Sequence, residues 1–70
     1  MSSIPSLRDS LRRAEELGLE VKWLNRTGEV AVRDPLQLGG APVRVNARKK
    51  DTPRILLKLL KRAAETRHLE

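Results

Sequence analysis

The spacing of apolar residues changes period twice along this chain, and the order of those periods constrains the fold more than any other feature. Leu7, Leu11, Ala14 and Leu17 recur at helical spacing. Leu19, Val21 and Trp23 then alternate with Glu20 and Lys22, as a half-buried strand requires. Alternation resumes from Glu29 to Arg33, with Val30 and Val32 on one face. It returns at Val43, Val45 and Ala47 against Arg44, Asn46 and Arg48, a third strand with a cationic outer face. Ile55, Leu56, Leu59, Leu60 and Ala63 restore the helical period as a wide apolar stripe, with Arg54, Lys58, Lys61, Arg62 and Glu65 opposite it.

The residues between these runs agree with that reading. Ser6 and Asp9 match the S-x-x-D/E capping signature, and Gly18 supplies a stop, so a helix is expected from about Leu7 to Leu17. Asn25-Arg26-Thr27-Gly28 is a turn that joins the first two strands as a hairpin. Asp34-Pro35 ends the second strand, and Gln37, Gly39, Gly40 and Pro42 mark a longer loop. Thr52 reads as an N-cap, with Pro53 at the first helical position. The expected fold is α+β: an αβββα two-layer sandwich, its three-stranded antiparallel sheet carrying both helices on one face. The other face is left to water or a partner, which antiparallel sheets tolerate.

Seventy residues without cysteine make one small domain, near the lower limit for a core that no disulfide staples. Residues 1–68 are read as that domain, and Leu69-Glu70 as the scar of a fused C-terminal tag. The one histidine, His68, stands near the end of the chain, so neither a zinc site nor any other cofactor is expected. The longest apolar run, Ile55-Leu56-Leu57, is far short of a membrane span, and no apolar signal stretch opens the chain. The expectation is a soluble, cytoplasmic protein without a membrane partner.

Charge is distributed unevenly. Residues 1–43 carry six basic and six acidic side chains, whereas residues 44–70 carry nine basic against three acidic, which accounts for the whole net charge of +6. The density peaks from Arg44 to Arg54. Such polarity concentrates polyanions near one part of the surface. Arg48-Lys49-Lys50 precede a helix N-terminus, whose free N–H groups and dipole also favour anions, and Arg54 and Lys58 continue the ridge at i, i+4. The candidate phosphate-binding set is therefore Arg44, Arg48, Lys49, Lys50, Arg54 and Lys58, with Thr52 capping the helix beside a bound anion.

Catalysis finds little support. Nucleophilic chemistry needs an activated Ser, Thr or Cys, usually beside His. Ser2, Ser3, Ser6 and Ser10 are explained by capping and by their place at the chain terminus. Glu15 and Glu16 are adjacent on a helix and diverge. No catalytic residue is expected. Trp23, the single aromatic residue, is in phase with Leu19 and Val21, so it is expected in the core rather than as a base-stacking platform. Leu57, Leu36 and Leu38 form either a small exposed patch for a protein partner or ordinary edge packing.

The order helix–strand–strand–strand–helix, with Lys49-Lys50 leading into the second helix, resembles the double-stranded-RNA-binding fold. That family places a lysine pair at this helix start, against phosphates across the RNA major groove, and the resemblance gives Lys49 and Lys50 that role. The family's next basic residue falls on Pro53, with Arg54 as an approximate substitute, and no counterpart of its minor-groove loop motif is recognisable. Three shorter stretches resemble the HicA-like (YcfA-like) small toxins of the same fold: Glu16-Leu17-Gly18-Leu19-Glu20-Val21, Thr27-Gly28-Glu29, and Asp51-Thr52-Pro53-Arg54-Ile55-Leu56-Leu57-Lys58. In the last, Thr52 and Lys58 match a Gly-Thr-x-x-x-x-x-Lys helix start. Those toxins cleave mRNA with a His soon after the turn glycine, where this chain has Glu29, Val30 and Ala31. The resemblance, over roughly residues 7–62, implies a relative without that catalytic His.

The expectation is then a nucleic-acid-binding module, RNA ahead of DNA, that holds a duplex through its backbone phosphates. The rivals are a HicA-like mRNA interferase or its inactive relative, and an interaction module whose basic face docks on an acidic protein partner. A weak homodimer through a strand edge is a further expectation.

Overall fold

The protein is described by a computed structural model that places residues 4–37 and 40–68. Ser2, Ser3, Leu38, Gly39 and the Leu69-Glu70 tail lie outside the described residues. Five elements follow one another: helix α1 (Leu7–Glu16), strands β1 (Glu20–Leu24), β2 (Glu29–Arg33) and β3 (Val43–Asn46), and helix α2 (Arg54–Thr66). The strands form one antiparallel sheet in the order β1-β2-β3. This is the αβββα arrangement that the periods imply.

Local chemistry sets each boundary. Ser6 begins α1 by accepting the Asp9 N–H on its side-chain oxygen at 3.2 Å. Gly18 ends it in the left-handed region, φ +88°, so that its own N–H reaches the Glu15 carbonyl at 3.0 Å and the Leu19 N–H reaches that of Ala14 at 2.9 Å. The chain leaves this Schellman turn directly into β1. The hairpin turn works similarly: Thr27 and Gly28 both donate to the Leu24 carbonyl, at 3.2 and 3.0 Å, with Gly28 at φ +70°.

Register decides which side chains meet. Val21 faces Val32, Trp23 faces Val30, and on the other side of β2 Val45 and Val43 face the same two valines. Opposite residues share a face, so Val30, Val32 and Val45 make the floor of the core. Leu7, Leu11, Ala14 and Leu17 come down on it from α1, and Leu56, Leu60, Ala63 and Ala64 from α2, in one continuous cluster. Both helices therefore pack on one face of the sheet. The core is wholly aliphatic, and each fully buried leucine or valine contributes roughly 1.5–3 kcal/mol. The molecule is 17 Å thick in its shortest direction, two layers and no more. Among the described residues no helix is long and apolar enough to cross a membrane.

The two helices start side by side. Ser6 and Asp51 bridge as a pair of antiparallel backbone partners. The Leu7 N–H donates to the Lys50 carbonyl at 2.8 Å, and the Thr52 N–H donates to that of Pro5 at 3.1 Å. This seam corrects one expectation. Thr52 does not cap α2: its side chain is buried, 4 % exposed, and its hydroxyl donates to the Pro5 carbonyl at 2.8 Å while meeting the Ser10 hydroxyl. Pro53 is the N-cap instead, with φ −61° and ψ 148° and no side-chain hydrogen bond to the helix. A buried hydroxyl must find partners, and the Pro5 and Ser6 carbonyls and the Ser10 hydroxyl supply them here.

Three further expectations change. Trp23 points toward the helix layer, as its alternation demands, yet it is 56 % exposed because it stands at the rim of the sheet beyond the aliphatic core. Ile55 is 58 % exposed and lies outside the stripe that Leu56, Leu60 and Ala63 bury. The third strand stops at Asn46, so Arg48 sits in the following turn and leaves Arg44 as the strand's one outward cation. That open face is mixed rather than cationic, with Glu20 and Glu29 beside Lys22, Arg33 and Arg44 in the register.

Candidate functional site

The connection at residues 47–53 is shaped by Asn46. Its side-chain oxygen accepts the Arg48 N–H at 2.9 Å, and its carbonyl accepts the Lys49 N–H at 3.1 Å. The Ala47 N–H, bonded to the Gly28 carbonyl at 2.9 Å, fixes the start of this turn against the hairpin. Arg48, Lys49 and Lys50 are thus exposed on a short, hydrogen-bonded loop that leads to the N-terminus of α2. That N-terminus has no side-chain cap and no acid in its first turn; the nearest acid ahead of it is Asp51.

Which cations are free to bind follows from which are paired. Among the described residues there are three ion pairs: Arg13 with Glu16 at 4.0 Å, Arg33 with Glu20 at 3.1 Å, and Arg67 with Asp34 at 2.9 Å. The first two are exposed and contribute little to stability. The third is structural. Asp34 is 4 % exposed, receives both terminal nitrogens of Arg67, and also accepts the Leu36 N–H at 3.0 Å. The Arg67 guanidinium holds the Asp34 carboxyl below the usual carboxylate range, against the opposing effect of burial, and the pair raises Arg67 in turn. Arg44, Arg48, Lys49, Lys50, Arg54 and Lys58 make no ion pair among the described residues. All six are exposed.

The structure does not gather these six into one strip. Lys49 and Lys50 line a cleft of about 870 Å³ together with Arg8 and Arg12 of α1, over an apolar floor that includes Leu11 and Trp23. Lys58 lines a second groove on the other side of α2, with Lys61 and Arg62 around Ile55 and Val43. Arg44 stands on the helix-free face of the sheet, level with Ala31 and Lys22. Arg54 opens α2 and lines neither groove. Thr52, buried in the seam, offers no surface to a ligand.

Arg8 and Arg12 are site residues that the charge count hides, because α1 carries three basic and three acidic side chains. The signal is positional: four residues apart, they share one face of the helix. Trp23 is the other surprise. Leaving more than half of an indole in water forgoes on the order of 2 kcal/mol of burial, which a core position would have gained. The assembled surface can therefore do two things chemically: hold anionic oxygens at several cations, and offer a flat aromatic face between them.

Comparison with known proteins gives no match: no family model, no curated protein and no solved structure is similar to the chain.

Proposed function

We propose that this chain is a nucleic-acid-binding module that holds duplex RNA through backbone phosphates. The observation that carries the reading is the unpaired cationic loop Arg48-Lys49-Lys50 at the uncapped start of α2. Lysines offer point charges, arginines bidentate forks, and an uncapped helix start adds N–H donors and a positive field. Arg8, Arg12 and Arg54 enlarge the same end of the molecule, and Arg44 and Lys58 add charge on its flanks. The order of the elements, with the lysine pair just ahead of the second helix, supports the likeness to the double-stranded-RNA-binding fold. On this reading the module binds RNA without cutting it, since Glu29, Val30 and Ala31 stand where HicA-like toxins carry their catalytic His.

A Lys49→Glu/Lys50→Glu double variant tests the proposal by fluorescence anisotropy with a labelled blunt RNA duplex at low salt. A loss of tenfold or more in affinity, with the helical circular dichroism unchanged, is expected. A folded variant that binds as tightly as the parent chain rules the reading out.

One observation favours a second reading. Ile55 is exposed and lines a groove with Val43 of the edge strand, among Lys58, Lys61 and Arg62 against one acid, Glu65, an arrangement suited to docking on an acidic protein surface. A stable protein complex that Ile55→Asp disrupts, from a chain blank in RNA and DNA gel shifts, is what that reading expects.

A further inference from the structure

Trp23 is the feature that phosphate binding leaves unused. The residue is 56 % exposed and lines the cleft between the first turns of α1, the end of β1 and the loop at residues 47–53. Arg8 and Arg12 stand on the α1 side of this cleft and Lys49 and Lys50 on the loop side, against one acid, Glu15. Leu7, Leu11 and Ala47 complete an apolar base. An aromatic face set between two pairs of cations matches one kind of ligand closely. In a single strand each unstacked base is flanked by two phosphates, so ring meets ring while charge meets charge on either side. A fully paired duplex keeps its bases turned inward and cannot use the indole in this way.

We infer that the Trp23 cleft holds an unpaired nucleobase, with its flanking phosphates on Lys49–Lys50 and on Arg8–Arg12. The module then binds best where an RNA duplex runs out into a single-stranded overhang. The inference rests on the proposed role of Lys49 and Lys50 as phosphate ligands, and adds the nucleobase and the second cation pair. Stacking contributes through the π-face, which every base has, so the cleft tolerates sequence while selecting for an unpaired end.

The chain has no tyrosine, phenylalanine or second tryptophan, so its intrinsic fluorescence reports this cleft alone. The test titrates the full chain with a blunt RNA duplex, the same duplex bearing a three-nucleotide overhang, and inorganic polyphosphate. The overhang is expected to quench Trp23 and to tighten binding by about tenfold over the blunt duplex. Polyphosphate, which has charge but no ring, is expected to bind without comparable quenching. Trp23→Ala should bring overhang affinity down to the blunt value, and Trp23→Phe should keep most of the gain. Trp23 is a rim residue, so both variants should melt within a few degrees of the parent.

Equal affinity of Trp23→Ala and the parent for the overhang overturns the inference. So does equal quenching by polyphosphate, or a concentration-dependent blue shift of the emission without nucleic acid, which would assign the cleft to a protein surface. The two readings fail separately. If the blunt duplex binds through Lys49 and Lys50 and the overhang adds nothing, the cleft assignment alone falls. If only single strands bind, and Trp23 is quenched, the duplex preference falls and the cleft stands.

Discussion

The two helices begin within a few ångströms of each other and solve the same problem in opposite ways. At the start of α1, Ser6 accepts the Asp9 N–H and Asp9 sits in the first turn, so one free donor and the positive dipole are answered by local residues, while the Leu7 N–H goes to the Lys50 carbonyl. At the start of α2 there is no side-chain cap and no acid in the first turn, and the cations Arg48, Lys49 and Lys50 stand a few residues ahead of it, separated from it by Asp51, Thr52 and Pro53. Thr52, which has the right chemistry to cap, is spent on the seam that joins the two starts. The first arrangement favours stability. The second leaves part of that stability unrealised and keeps a field directed at solvent, which is useful if something anionic arrives there.

The strongest way to break the comparison is to remove what both starts stand on. Leu56 is fully buried beneath them, and Leu56→Ala should cost about 2–5 kcal/mol in chemical denaturation, enough to leave so small a domain largely unfolded. Next comes the far end of α2, where a cation is fully answered. Asp34→Ala should lower the melting temperature, because it removes the carboxylate that receives both terminal nitrogens of Arg67 and the Leu36 N–H. Because the folded Asp34 carboxyl lies below its ordinary value, its contribution is present above about pH 4 and is lost as the pH falls further. Thermal melts of the parent chain should therefore drop steeply below pH 4, and those of the Asp34→Asn variant should be flatter over the same interval.

Smaller changes sharpen the contrast between the two starts directly. Ser6→Ala should cost about 1 kcal/mol of stability with RNA affinity nearly unchanged. Arg54→Asp places an acid in the first turn of α2 and should stabilise the fold by a few tenths of a kcal/mol, while weakening RNA binding severalfold. Opposite signs for stability and affinity in the second variant, read by melting and anisotropy on the same sample, are what the comparison requires. A variant that loses both would show that the α2 start is structural like that of α1.

Much of this molecule was legible in its residue order, for a physical reason. Periods of 3.6 and 2 are local properties, and Gly18, Gly28 and Ser6 act through hydrogen bonds only a few residues long, so elements and turns could be read off. What failed was non-local. Alternation assigned Trp23 to the correct face of the sheet but could not tell that the helix layer stops short of it. Residue type made Thr52 a cap, yet residues forty-odd positions away compete for its hydroxyl. The Asp34–Arg67 pair spans 33 positions and left no local mark. The candidate site shows the same division. The cationic loop was visible as composition, whereas Arg8 and Arg12 joined it only when the seam brought α1 alongside.

The central claim, that the unanswered start of α2 is a phosphate-binding surface, is tested most directly by the salt dependence of RNA duplex affinity. With about four to six phosphates neutralised, log K should fall against log salt with a slope of roughly −3 to −5 in the parent chain, and the slope should be shallower by about 2 in Lys49→Glu/Lys50→Glu. A parent slope near zero, or a slope that the double substitution leaves unchanged, would contradict it.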